Sequence, residues 1–112
     1  MIGRSRAELA QFIEAQRLDY LRGLPERMGQ IDASWAAALE ASDFREPLRV
    51  LERLGHGLHG TAGTFGFHAL SAAGHELEDA AEALAQAGGD ADGARRRVVA
   101  AIEQVRRSLP TA

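Results

Sequence analysis

The chain has 112 residues, no cysteine and a formal net charge of −3. That length suits a single domain with one modest core; the lack of cysteine excludes disulfides, thiolate zinc sites and cysteine nucleophiles, and the acidic balance supplies no field to attract nucleic acid. No apolar run approaches the roughly 20 residues that span a bilayer, and the N-terminal "MIGRSRAELAQF" lacks the long apolar core of a signal peptide, so a cytoplasmic protein with no membrane partner is expected.

Helical periodicity runs through the whole sequence. In the first segment, roughly residues 5 to 21, Leu9, Phe12, Ile13 and Leu21 share one side, and Ser5 followed by Glu8 fits a capping box. A second segment carries Leu21, Leu24, Met28, Ile31, Trp35 and Leu39 at spacings of three and four, the clearest apolar stripe in the chain. Gly23 and Pro25 interrupt its start: either one helix kinks there, or a new helix begins with Pro25 in its first turn. "ASDFREP", residues 41 to 47, is a break, with Asp43 or Glu46 placed near the start of the next helix and Pro47 suited to a first helical position. That helix is expected to run from about residue 47 to 65. The following one starts near residue 67 and turns Leu70, Ala73, Leu77, Ala81 and Leu84 to one side. "AGGDADG", residues 87 to 93, forms a turn. Asp90 or Asp92 is then expected to cap a last helix holding Val98, Ile102, Val105 and Leu109, which Pro110 ends. No stretch alternates with period two. The expected fold is all-α: an antiparallel up-down-up-down four-helix bundle with an additional or extended N-terminal helix, forming one domain over residues 1–112. The initial methionine and the proline-terminated last helix favour a free-standing chain.

One stretch breaks the local rules. "GHGLHGTAGTFGF", residues 55 to 67, holds five glycines between Gly55 and Gly66, with two histidines among them, inside an expected helix. Each such glycine costs roughly 0.5–1 kcal/mol relative to alanine. At 100° per residue, Leu51, Leu54, Leu58, Ala62 and Phe65 fall within about 60° of one another's mean direction and form the buried stripe. His56 lies about 140° from Leu51 on the outer face, with His59, Gly60 and Gly63 on the same outer side. His56 is therefore expected to be exposed among small residues, where bare backbone lets another protein come close. Gly55 and Gly66 lie nearer the buried side, where close helix packing is the better explanation.

"HGLHGTAGTFG", from His56 to Gly66, resembles the signature of histidine-containing phosphotransfer (HPt) domains, His-x-Leu-Lys-Gly-(small)-Ala-x-x-x-Gly. His56, Leu58, Gly60, Thr61, Ala62 and Gly66 match it. "LSAAGHELE", from Leu70 to Glu78, resembles the family's next helix, with its leucine and closing Leu-Glu, and "LPERMGQIDASWAAAL", from Leu24 to Leu39, looks like the helix that precedes the motif. The resemblance covers most of the chain. It implies a carrier, not an enzyme, that relays phosphoryl groups between aspartates of receiver domains, its partners being a response-regulator receiver domain and a hybrid histidine kinase. By position, His56 is then the phosphoryl acceptor, Gly60 and Gly63 leave room for the docking receiver, and Leu58 is structural. The family implies no cofactor of the chain's own; Mg²⁺ and a lysine are expected from the partner receiver. An apolar docking patch is expected near His56, with Phe67 and the segment around Phe12 and Ile13 as candidates.

One position departs from the family. Where lysine is most frequent, the chain has His59, one turn after His56 and on the same side. A free imidazole titrates near pH 6.5 and is mostly neutral at pH 7, unlike lysine, and an adjacent phosphate favours its protonated form. A phosphorylated state that depends on pH through His59 is one expectation; a His59 that merely fills space is the blander one. The alternative to the carrier is a bundle of the same fold that binds a receiver or kinase without being phosphorylated.

Other signals carry less. "GHGLHG" matches Gly-x-Gly-x-x-Gly, but no strand precedes it, as a dinucleotide site requires. His56, His59, His68 and His75 lack the inward Glu-x-x-His pairs of bundle metal sites. All 13 basic residues are arginine, which beside abundant alanine and glycine reads as genomic base composition, and "GARRRVV", residues 93 to 99, reads as a solvated face.

Overall fold

Three short turn segments interrupt an otherwise helix-forming sequence, and they divide the chain into α1 (Arg6–Glu40), α2 (Arg45–Thr64), α3 (His68–Gln86) and α4 (Asp92–Ser108). The computed structural model describes residues 5–111; residues 1–4, the start of the segment read for a signal peptide, and residue 112 lie outside them. Among the described residues there is no strand. The connections are too short for crossovers, so consecutive helices run antiparallel and pack as neighbours. The ring closes where α4 meets α1, and there the Arg106 guanidinium donates to Asp32 Oδ1 at 2.7 Å. Arg97 makes a two-bond bridge from α4 to Glu76 on α3, at 2.9 and 3.0 Å, and these bonds hold the Glu76 carboxyl below the usual glutamate range.

The expected stripes form the core except at their ends: Leu21, Trp35 and Leu109 are only partly buried, and Leu39, expected on the α1 stripe, is about half exposed. Leu24, Met28 and Ile31 of α1 meet Leu48, Leu51, Leu58 and Ala62 of α2, the leucines of α3 at 70, 77 and 84, and Val98, Ile102 and Val105 of α4. Burying each large aliphatic side chain contributes about 1.5–3 kcal/mol. Leu54 and Phe65 are only partly buried at the margin.

The N-terminal segment is an extension of α1 and not a separate helix. α1 has 35 residues, about 52 Å of helix, and accounts for most of the 58 Å long dimension of the molecule. Its buried residues begin at Tyr20. Leu9, Phe12 and Ile13 share a side as expected, yet each is about half exposed, because α2 and α3 turn back before reaching them. Pro25 lies inside the helix, so α1 is continuous there and no new helix begins at Pro25. Its missing N–H removes one hydrogen bond, and the buried Leu24 and Met28 on either side pin the chain across the gap.

The helix starts follow local chemistry with two departures. The Ser5 side chain accepts from Glu8 N at 3.2 Å, as a capping box requires. Asp43 Oδ1 accepts from Arg45 N at 3.0 Å, which lowers its pKa and starts α2 two residues ahead of Pro47. At α4 neither Asp90 nor Asp92 caps the helix: the N-cap is Ala91, with no side-chain bond, and Asp92 sits in the first turn, where a carboxylate faces the positive end of the helix.

Tyr20 joins α1 to the turn between α2 and α3. Its ring lies 5.4 Å from that of Phe65 and 6.3 Å from that of Phe67, and the Arg17 guanidinium stands 5.0 Å over Phe67. Phe67 is therefore a packing residue of this junction and not an apolar patch beside His56. The Tyr20 Oη is buried with no hydrogen-bond partner among the described residues, and burial raises its pKa against the opposing effect of Arg27. A buried unpaired hydroxyl is a net cost. Tyr20→Phe is expected to match the wild type or exceed it by about 1 kcal/mol in urea unfolding; a clear loss of stability would show that the hydroxyl is satisfied.

Candidate functional site

The glycine-rich half of α2 lies against α3, and the glycines there differ in what they do. Gly55 is buried, and a Cβ on it would stand 2.7 Å from Gly74 O and 2.8 Å from Glu78 N. A Cβ on Gly74 would stand 2.7 Å from Leu58 Cβ and 2.8 Å from Gly55 O. Only a pair of glycines permits this approach, so the packing expectation for Gly55 holds, with Gly74 as its partner. Gly66 is different: nothing lies within 4 Å of its Cβ position, and its φ of +84° is the left-handed conformation that ends α2. Its role is conformational, which corrects the packing expectation. Gly60 is exposed with open space around it. Gly63 is half-buried and turns toward α3, where a Cβ would lie 3.2 Å from Ser71 Oγ; it does not face outward as expected, because α3 leans onto that end of α2.

One residue beyond Gly55, His56 projects from the bundle with 74% of its side-chain surface accessible. Its Nδ1 lies 3.0 Å from Oε2 of Glu78, whose own side chain is three-quarters covered. A carboxylate only accepts, so Nδ1 carries the hydrogen and the neutral ring keeps its lone pair at Nε2. The imidazole is thus exposed and oriented by Glu78, and in its neutral form with the hydrogen on Nδ1 it presents a lone pair at Nε2. In the sequence, Glu78 stands out only as the end of a Leu-Glu pair. Its usable signal is its place one turn after Gly74, the residue that seats α3 against α2.

His59 has its own partners. The Ser71 hydroxyl donates to His59 O at 2.6 Å and so accepts from His59 Nδ1, 3.1 Å away; Ser71 O lies 3.2 Å from the same nitrogen. The His59 ring also packs against His75 at a centroid distance of 4.8 Å, and His75 Nε2 lies 3.4 Å from Asp79 Oδ2. His59 is therefore tied to α3 by Nδ1. His68 is exposed. Among the described residues, no three His, Asp or Glu side chains converge as a metal-ligating group.

On the other side of His56, a shallow groove is lined by Arg49, Glu52, Arg53 and Glu78. Burial raises the Glu52 pKa, and the nearby Glu82 and Glu78 carboxylates push it the same way. These groove residues went unnoticed in the sequence, although positions three, four and seven before His56 share its face.

The Hpt domain model matches residues 16–108, so the match begins near the point where α1 joins the bundle and leaves residues 6–15 outside it. No curated protein and no solved structure matches the chain. No described helix is long and apolar enough to cross a membrane.

Two stability measurements check this geometry. Gly55→Ala places a methyl group against α3 backbone and is expected to cost about 1–3 kcal/mol by overpacking, whereas Gly60→Ala, in open helical space, should gain about 0.5–1 kcal/mol; equal effects of the two substitutions in urea unfolding would contradict the close contact. Glu52 has a folded-state pKa above its unfolded value, so its ionisation disfavours folding as pH rises through that range. Glu52→Gln should therefore melt higher than wild type at neutral pH, and the advantage should vanish in acid, where both side chains are uncharged.

Proposed function

The chain belongs to the Hpt domain family, and from that premise we propose that it is a phosphoryl carrier, taking the group from an aspartyl phosphate on one receiver domain onto His56 and delivering it to the aspartate of another. The observation that carries this reading is the exposed His56 imidazole, held at Nδ1 by Glu78 with its Nε2 lone pair outward.

The chemistry follows from that arrangement. The Nε2 lone pair attacks phosphorus in line; the N–P bond forms as the P–O bond to the aspartyl carboxylate breaks, and the electron pair of that bond leaves on the carboxylate. Nδ1 keeps its hydrogen throughout, so the phosphorylated ring is cationic and its charge faces the Glu78 carboxylate. A second aspartate takes the phosphoryl group by the reverse step, and the neutral ring is regenerated. Such transfers need positioning and charge neutralisation more than covalent help. The Mg²⁺ and the lysine that neutralise the transferred group are assigned to the receiver. The chain is then one half of a composite site and is itself consumed and restored in each cycle, as a carrier and not a catalyst.

Access falls to the glycine side. Gly60 presents only backbone one turn beyond His56, so a receiver can bring its aspartate against Nε2. His59, at the family's lysine position, lies one turn beyond His56 with its Nδ1 held by Ser71. Receiver domains and the kinases that feed them place this exchange in the cytoplasm.

Incubation with a phosphorylated receiver and Mg²⁺ tests the reading. The wild type is expected to take up acid-labile, base-stable label, and His56→Gln to take up none while keeping its helical circular dichroism. Label retained by His56→Gln would reject the site.

A further inference from the structure

We propose that Arg53, assisted by Arg49, binds the phosphoryl group once it is on His56, leaving a resting ion pair with Glu46 to do so. This inference rests on the carrier reading above and concerns where the cation for the phosphoryl group comes from.

The face of α2 around His56 is lopsided. Toward the C-terminal end stand Gly60 and Gly63, which bring no charge, and His59, whose Nδ1 is held by Ser71 and whose ring is packed on His75. The position that usually carries a lysine is thus occupied by a side chain committed to α3. Toward the N-terminal end lies the groove, and the cations that line it are Arg49 and Arg53. Arg53 precedes His56 by three residues and Arg49 by seven, which puts them about 60° and 20° around the helix axis from it and about 4.5 Å and 10.5 Å along it. Both share its face.

The arginines are parked where they can be released. Arg49 Nη1 lies 3.3 Å from Glu46 Oε2, and Arg53 Nη2 lies 3.3 Å from Glu46 Oε1. One carboxylate therefore serves two guanidiniums, with all three side chains about two-thirds exposed. Exposed pairs of this kind contribute little to stability and exchange readily. Arg53 already spans two helical turns to reach Glu46; His56 is one turn away in the opposite direction.

Phosphorylation supplies the reason to move. It places nearly two negative charges beside Glu52 and Glu78, which already line the groove. A guanidinium binds phosphate through paired N–H donors and is the fitting partner for that group. Leaving Glu46 for a more highly charged acceptor one turn away lowers the repulsion without any backbone movement.

Phosphoramidate serves as a test donor, because it phosphorylates histidine without a partner protein: its P–N bond breaks, ammonia leaves and the new N–P bond forms at His56. The readout is the pH midpoint of the phosphohistidine ³¹P shift, which a nearby cation lowers. The charged groups lining the groove beside His56 are Arg49, Glu52 and Arg53 of α2 and Glu78 of α3; on the other side stands His59, held at Nδ1 by Ser71. Arg53→Gln is expected to raise the midpoint by about 0.5 pH unit and Arg49→Gln/Arg53→Gln by about 1, Arg53→Lys to restore most of it, and Glu46→Gln to lower it by freeing both arginines. His59→Gln should leave it in place. A labelled chain whose midpoint ignores the loss of both arginines overturns this inference alone. A wild-type chain labelled at His56 by neither phosphoramidate nor a phosphorylated receiver overturns the carrier reading and this inference with it.

Discussion

Where Gly55 meets Gly74, no Cβ separates α2 from α3, and the two backbones come within van der Waals contact. Each glycine gives up helix propensity relative to alanine, about 1 kcal/mol apiece. In return the helices approach closely enough that Glu78, one turn beyond Gly74, reaches across to Nδ1 of His56, one residue beyond Gly55. A wider spacing would leave the imidazole free to spin and to exchange tautomers. The packing contact and the chemical site are thus the same piece of structure, one residue apart on α2 and one turn apart on α3.

That contact also explains why the histidine stands out of the bundle without being loose. Its ring is open to solvent on the side where a phosphoryl group would arrive and tethered on the side that faces α3. The surface around it divides along the helix axis. Charge gathers on the N-terminal side, in Arg49, Glu52 and Arg53. The C-terminal side is bare at Gly60 and, nearer the turn, is closed by Gly63 packing on Ser71. On the carrier reading proposed above, a receiver comes close on the bare side while the charged side supplies counter-ions.

α1 does a different job. From Tyr20 onward it seals the open face of the helices that carry the site, and Tyr20 itself locks the turn that reverses α2 into α3 through Phe65 and Phe67. Before Tyr20 it is a projecting arm with exposed Leu9, Phe12 and Ile13. The family match starts at residue 16, so this arm is the part of the chain least tied to the shared fold.

The four helices, their turns and their buried stripes were legible in the sequence, because each depends on a period of 3.6 residues and on local breakers. The outward direction of His56 was legible for the same reason: the angle between two residues of one helix is set by their spacing alone. The pairing of Gly55 with Gly74, the reach of Glu78 to His56, the capture of His59 by Ser71 and the turning of Gly63 toward α3 were not. Each joins residues on two helices, and periodicity within a helix says nothing of how far apart, or at what rotation, two helices settle. The continuity of α1 through Pro25 belongs here too, since the contacts that bury Leu24 and Met28 on either side of the lost hydrogen bond are supplied by the rest of the bundle. Local order was written in the chain; the distances that leave one histidine exposed and held by Glu78 and tie another to Ser71 came only from how α2 and α3 fit together.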